Sequence, residues 1–367
     1  MKKLLRRPRS VDLNLLVIFI ILVGFGLIAV TSAAYPLGLK YHNDGFYFGK
    51  RQLIFCILGI IATIIATNIP RKTLKKYSLH MYIFTLLLVG ILYTPLAADE
   101  IYGQARWIRL PGINLSFQPS DLLKITSVLF MARVLENNRL KMEKKETFIS
   151  IVFILVLSVL PIMIKDLSTG IVIGFSLFVM YVVAGIKMHQ FISLVFIGIV
   201  GMIPMIYLFW YRIKRIFGFL NPDSGALNEN YQITQSLYAI AMGGFGGVGL
   251  FHSRQKYLNI PSAHNDFIFP VICEEFGLIG ALFLIIMFFL LIQRGLLIAQ
   301  KSKNYYDKYV AVGITSYIGI QAVFNIGVGC GLFPVTGITL PFISYGGTSL
   351  LITMASVGIL LGISRRV

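Results

Sequence analysis

Apolar stretches close to 20 residues long recur along the 367-residue chain, separated by short polar, Gly- or Pro-marked breaks. A helix needs about 20 apolar residues to cross the hydrocarbon core of a bilayer. Ten segments meet that pattern, at roughly 13–32, 51–69, 78–96, 119–136, 148–164, 170–186, 190–210, 267–292, 309–328 and 346–363. The first, "LLVIFIILVGFGLIAV", is long for the apolar core of a signal peptide and is quickly followed by further spans, so it reads as an uncleaved first span. The fifth and sixth are parted only by "KDLSTG", either as two spans or as one bent pair. The pattern predicts an all-α polytopic membrane protein. It forms a single integral membrane domain over 1–367, with about ten transmembrane helices and a large outer loop, 211–266, between spans seven and eight.

Composition supports this over the two or three soluble domains that length alone suggests. The chain is 57% hydrophobic and 13% charged, with a mean hydropathy of +0.80. A formal charge of +18 raises the question of nucleic acid, but its distribution answers it. Basic clusters at 2–9, 71–76, 139–145, 294–308 and the extreme C-terminus alternate with poorly charged loops, as the positive-inside rule requires of ten spans. Both termini are then cytoplasmic, and no nucleic-acid partner is expected. Other basic residues fall on the outer side, among them Arg51, Arg106, Lys165, Arg215 and Lys256. Long loops translocate regardless of charge; an anionic ligand at the outer leaflet is the alternative. Cys56, Cys273 and Cys330 form no CxxC and no metal spacing.

Two outer loops carry most of the polar sequence. The first, Ala97 to Phe117, contains "RWIRL", which suits a segment at the interface with Trp107 at headgroup depth. Pro119 fits the first turn of the helix that follows. The second loop holds Tyr231 to Met242, which reads as a short amphipathic helix ended by Gly243-Gly244. Its "GGFGGVG" lacks the βαβ context of a nucleotide fingerprint and reads as a tight turn near the membrane surface.

Several charges lie where charges are costly. Asp266 sits at the outer mouth of the eighth span, in "HNDFIF", where an N-cap is the simplest reading. His264 has no second histidine at metal spacing, which argues against zinc. Glu274 and Glu275, about two turns further in, point in different directions and read as structural partners of basic groups. Lys124 lies one turn into the fourth span near Asp121, with Arg106 just upstream, and Asp166 marks the break in "KDLSTG". Breaks of that kind line cavities.

Taken together, "GQARWI…SFQPSDLLK", "RIKRIFGFLNP", "QITQSLYAI…GGFGGVGL", "SRQKYLNIPSAHNDFIFPVICEEFG" and "NIGVGCGLFPVTGITLPFISYGGTSL" resemble the FtsW/RodA/SpoVE family of shape, elongation, division and sporulation proteins. The "LNP" and "SRQK" pieces are nearer to FtsW and SpoVE than to RodA. The resemblance implies a ten-span peptidoglycan glycosyltransferase that polymerises lipid II on the outer leaflet of the bacterial plasma membrane. It also implies a class B penicillin-binding protein as partner. The acidic catalytic position of the family falls on Asp266; its motif basic residues fall on Arg51, Arg106 and Lys124. Asp166 is retained although "KDLST" lacks the Pro and Gly usual there, and "QPSD" stands where "QPSE" is usual.

A lipid-linked donor carries a diphosphate leaving group, so no protonating acid is needed and one base suffices. The expected site is Asp266 as base, with Arg51, Arg106 and Lys124, and also Asp166, Arg215 and Lys256, on the substrate. The transfer inverts an α-linked donor to a β-linkage. No cofactor is required by this chemistry, which is also compatible with a divalent cation such as magnesium or manganese bridging the diphosphate and Asp166 or Asp266. Two other functions fit the same sequence: a lipid II flippase or transporter, and a non-catalytic scaffold for a penicillin-binding protein.

Overall fold

The structure is a computed structural model that describes residues 10–95, 97, 106–109, 116–220, 229–257, 260–261 and 263–367. Its helices are α1 (Leu13–Ala33), α2 (Tyr35–His42), α3 (Tyr47–Asn68), α4 (Arg71–Ile91), α5 (Pro119–Asn137), α6 (Lys145–Lys165), α7 (Leu167–Val183), α8 (Met188–Tyr207), α9 (Trp210–Leu220), α10 (Glu229–Gly243), α11 (Ile268–Lys301), α12 (Tyr305–Gly329) and α13 (Gly347–Ser364). A two-stranded antiparallel pair, β1 (Ile108–Arg109) with β2 (Ser116–Phe117), precedes α5. Ile108 pairs with Phe117 and Arg109 with Ser116.

Ten of these helices lie over the ten predicted apolar segments, while α2, α9 and α10 are short. Among the described residues, seven helices are long and apolar enough to cross a membrane, and α7 is apolar but shorter. The chain is therefore a multi-pass membrane protein. Helix α4 starts seven residues before the segment predicted at 78–96, because Pro70 caps it and its Arg71, Lys72, Lys75 and Lys76 extend from the first two turns. Long basic side chains at a helix end can reach the interface without ending the helix. The "KDLSTG" break separates two helices at one residue. Asp166 closes α6 and caps α7, its carboxylate accepting the Thr169 N–H at 3.2 Å and the Thr169 hydroxyl at 2.9 Å. The helix expected over Tyr231–Met242 is α10, running to Gly243.

Helix α12 is the central post, packed against α11, α7, α5 and α13. The closest pairing, α3 with α13, is made possible by small residues. Gly59 faces Met354, Gly358 faces the Thr63 backbone, and Thr63 and Thr67 hydroxyls donate to the Met354 and Gly358 carbonyls at 3.0 Å each. Close backbone approach through small residues is how helices associate where lipid removes the hydrophobic drive. By contrast α8 is largely exposed, as a lipid-facing helix would be.

The start of α1 and the end of α13 lie side by side, where the Ser364 hydroxyl accepts the Asp12 N–H at 3.0 Å. The same end of the bundle holds Asp307 between Arg71 and Arg366, at 3.3 and 3.2 Å, and Lys75 against Glu136 at 2.8 Å. A Cβ at Gly358 would lie 2.5 Å from the Thr63 carbonyl oxygen. Gly358→Val should therefore part α3 from α13 and destabilise the fold by about 1–3 kcal/mol, the usual cost of overpacking. Thermal unfolding in detergent checks this; an unchanged melting temperature would contradict the seam.

Candidate active site

The site is built on an irregular segment between α12 and α13. The carbonyls of Val335, Thr336, Ile338 and Thr339 each accept a hydrogen bond from a side chain of another element. The donors are Arg215 (3.3 Å), Ser168 (2.9 Å), Asn325 (2.7 Å) and Gln321 (2.9 Å). Non-helical backbone at membrane depth needs such partners. The segment's centre is Gly337, with φ +72°, a conformation that side chains disfavour. A Cβ there would lie 3.2 Å from Arg106 Nη1 and 3.5 Å from Asp266 Oδ2. Gly337 therefore leaves the space across which Arg106 and Asp266 face each other.

Asp266 is fixed through its backbone, its carbonyl accepting from Asn325 Nδ2 at 2.8 Å. Its carboxylate does not cap α11: the cap position is Phe267, with no side-chain cap bond. The simplest sequence reading of Asp266 is thus not what the structure contains. Asp266 as a whole residue is half-buried. Desolvation raises its pKa to about 6, with the nearby Asp166 charge adding to the rise and Arg106 and Arg215 opposing it. A carboxylate with that pKa is ionised at neutral pH and more basic than an ordinary aspartate.

Arg106 also comes within 3.8 Å of Asp166 Oδ2. Arg106, Asp166, Lys165 and Ser120 line a small open cleft with Leu92 and Ile162. Two guanidinium groups and two carboxylates are therefore gathered at one place from β1's approach, α9, the α6–α7 break and the mouth of α11.

The other expected site residues lie elsewhere. Arg51 donates to the Tyr47 hydroxyl at 3.4 Å and lies 5.7 Å from that ring's centre. It acts electrostatically on Tyr345, whose ring packs with Phe48 and His264. His264, pushed down to about 4 by burial, is a neutral member of that aromatic cluster next to Asp266. Lys124 is buried, with its ammonium 2.8 Å from Asp121 Oδ1 and 2.9 Å from Gln321 Oε1. It supports the Gln321 amide that holds Thr339. Lys256 is fully buried, paired with Glu275 at 2.7 Å and donating to Ser32 at 2.9 Å. Lys256, expected on the substrate, here has its buried ammonium held by Glu275 and Ser32.

Three contributors escape the sequence reading. Gln321 and Asn325 are amides at i, i+4 on α12, and two amides at that spacing in an apolar span were the available signal. Arg212 donates to the Met163 and Ile164 carbonyls at 2.8 and 2.9 Å, closing the end of α6. Among the described residues no three His, Cys, Asp or Glu side chains gather as a metal-ligand set.

Residues 12–367 match the family described as "Cell cycle protein", FtsW/RodA/SpoVE. The chain is 38% identical over 361 residues to the stage V sporulation protein E of Bacillus subtilis (strain 168), covering 98% of both chains. It is 37% identical over 372 residues to the "Probable peptidoglycan glycosyltransferase FtsW" of Trichlorobacter lovleyi, covering 99% of this chain and 96% of the other. It superposes, with a TM-score of 0.80 and 26% identity, on a solved chain described under "Structural coordination of polymerization and crosslinking by a peptidoglycan synthase complex". That match covers 97% of this chain and 98% of the other.

Because Arg106 holds the Asp266 pKa down, Arg106→Gln should move the titration above its wild-type position near 6. The infrared carboxyl band present in wild type and absent in Asp266→Asn reports it directly. Titration at the same pH in both proteins would separate Arg106 from Asp266.

Proposed function

The chain belongs to the FtsW/RodA/SpoVE family, and from that membership we propose that it polymerises lipid II at the outer leaflet, with Asp266 as the general base. It is a multi-pass membrane enzyme of peptidoglycan synthesis, a glycosyltransferase like the relatives whose names carry that activity. The observation that carries the mechanistic part is the Asp266 carboxylate beside Arg106 at Gly337, with its pKa raised to about 6.

In this reading the donor's diphosphate is recognised by Arg106 and Arg215, with Arg51 at the flank beside the aromatic cluster. Guanidinium forks match diphosphate oxygens in bidentate fashion. Asp266 takes the proton of the acceptor sugar's 4-hydroxyl as that oxygen attacks the donor's anomeric carbon. The bond from that carbon to the diphosphate breaks, and the electron pair leaves with the diphosphate, whose charge the arginines neutralise. Attack from the face opposite the α-linked leaving group gives the β-linkage. Stabilisation of developing charge by fixed groups is commonly the largest catalytic contribution. Lys124, satisfied by Asp121 and Gln321, contributes by fixing the floor of the site, and Asp166 by orienting Arg106.

Among the described residues, the groups around Asp166 offer no ready cation site. The Asp166 oxygens are engaged by Thr169 and Arg106, and the described residues provide no further ligating cluster. The partner is a class B penicillin-binding protein that crosslinks the product. The likeness to a chain from a peptidoglycan synthase complex supports this. Ten crossings, cytoplasmic termini and an outer 211–266 loop complete the reading, surrounded by membrane lipid. The adjoining chain ends and the basic clusters at that end of the bundle support this orientation.

In a cysteine-free background, the exposed Lys40→Cys should react with an impermeant thiol reagent from outside the cell, and the exposed Lys303→Cys only after permeabilisation. The opposite pattern would reject the orientation. Asp266→Asn keeps the side chain's size and removes proton acceptance. With purified lipid II and the partner, it should lower glycan polymer by at least about 10²-fold, the contribution expected of a general base. A flippase or scaffold would lose little with this neutral isostere. Long strands made by a well-folded Asp266→Asn protein would defeat the assignment.

A further inference from the structure

Helix α11 is broken at Gly277, where φ is +64° and ψ −163°. In an unbroken helix the Leu278 and Ile279 N–H groups would bond the Glu274 and Glu275 carbonyls. All four groups instead pair with the segment that follows α10. The Glu274 and Glu275 carbonyls accept from Val248 and Gly249 at 2.9 and 3.0 Å. Leu278 and Ile279 donate to the Gly244 and Phe245 carbonyls at 2.9 and 3.4 Å. The side chains at the break bind the same segment. Glu274 accepts the Ser253 hydroxyl at 2.6 Å and the Arg254 N–H at 2.7 Å; Glu275 pairs with Lys256 at 2.7 Å and accepts the Ser32 hydroxyl at 2.6 Å.

The part of α11 before the break, 268–276, begins two residues after Asp266 and shares neither of these two helical bonds with the long part behind it. Its placement along the bundle therefore depends on what holds it from the side. On one side that is Asn325, through the Asp266 carbonyl. On the other it is the 243–256 segment, joined through both backbone and side chains. Glycine is required at the join: a Cβ at Gly243 would run into the Cys273 carbonyl and lie 3.0 Å from Glu274 Cα, and one at Gly247 would lie 2.5 Å from the Glu275 carbonyl carbon. Gly246, three residues from Gly243, faces open space.

We propose that the 243–256 segment is a positioning element for the catalytic aspartate, clamping the short half of α11 so that Asp266 sits opposite Arg106. Glu274, Glu275 and Lys256 act as positioning residues that need not touch substrate. This rests on the reading of Asp266 as the base. A displacement near 1 Å can cost about 10²-fold in rate, so the clamp governs turnover more than substrate affinity.

The test compares Gly243→Ala with Gly246→Ala in the full-length protein with its partner, measuring kcat and KM for lipid II and the pH–rate profile. Alanine favours the end of α10, so helix propensity does not oppose the first variant. Gly243→Ala should lower kcat by about 10- to 10²-fold, leave KM within about threefold, and shift the acid limb as Asp266 moves relative to Arg106. Gly246→Ala should match wild type. A folded Gly243→Ala protein with wild-type kcat and pH profile, alongside an inactive Asp266→Asn, would overturn the clamp and leave the base in place. An active Asp266→Asn would instead remove the base, and the proposal with it. If Gly243→Ala does not fold, the neutral pair Lys256→Gln with Glu275→Gln replaces it, because removing both charges leaves no lone buried ion. The same fall in kcat is expected of it; wild-type turnover, or loss of folding in this protein too, would assign the segment to stability alone.

Discussion

Hydrocarbon offers no hydrogen bonds, and the structure of this chain follows from how it satisfies the backbone groups that leave regular helix. At Gly277 the four groups freed by the break in α11 pair with the segment after α10. Between α12 and α13, four carbonyls around Gly337 are taken by Arg215, Ser168, Asn325 and Gln321. The first is completed by the backbone of residues 244–249, and the second by side chains from other helices. Asp266 lies between the two, tied to the second through Asn325 and to the first through the short half of α11.

The same economy divides the basic residues into two groups. Lys124, Lys256 and Arg212 are buried and committed to Asp121, Glu275 and the end of α6. They hold the bundle in register. Arg106 and Arg215 stand around Asp266 and act on its charge. An ammonium already neutralised by a buried carboxylate adds little for a diphosphate. In the proposed reading, the positive potential offered to substrate comes from the second group, together with Arg51 at the aromatic edge. The outer basic residues thus divide into those committed to the bundle and those that the proposed reading assigns to the ligand.

The apolar periodicity located the long helices well, because length and hydropathy are local properties. It misplaced the start of α4, since charged first turns look like loop by composition. It passed over α2 and α9, whose short lengths carry no spanning signal. The predicted 211–266 loop is in part α9 and α10; its positions 221–228, 258–259 and 262 lie outside the described residues. Glu274 and Glu275 were legible as structural partners, because adjacent carboxylates on a helix cannot share a site. The break beside them was not legible, because Gly277 is one glycine among the chain's 34 and only its partner segment makes it a hinge point. Asp266 and Arg106 stand out in the sequence as costly charges, but not as neighbours. Their meeting is set by Gly337, far along the chain, and by amides on α12 that looked like minor polar interruptions. For Lys124 the partner Asp121 was visible one turn away in the sequence, whereas the Lys256 partner, Glu275, is 19 residues further along and is brought to it only by folding.

The central claim, that an ionised Asp266 accepts a proton during transfer, is tested most directly by the pH dependence of kcat/KM for lipid II polymerisation by the wild-type protein with its partner. A base must be deprotonated to act, so activity should rise with pH through a single limb near 6 and level off above it, coincident with the titration of the Asp266 carboxyl band. A rate that stays flat while that carboxyl titrates would contradict the account.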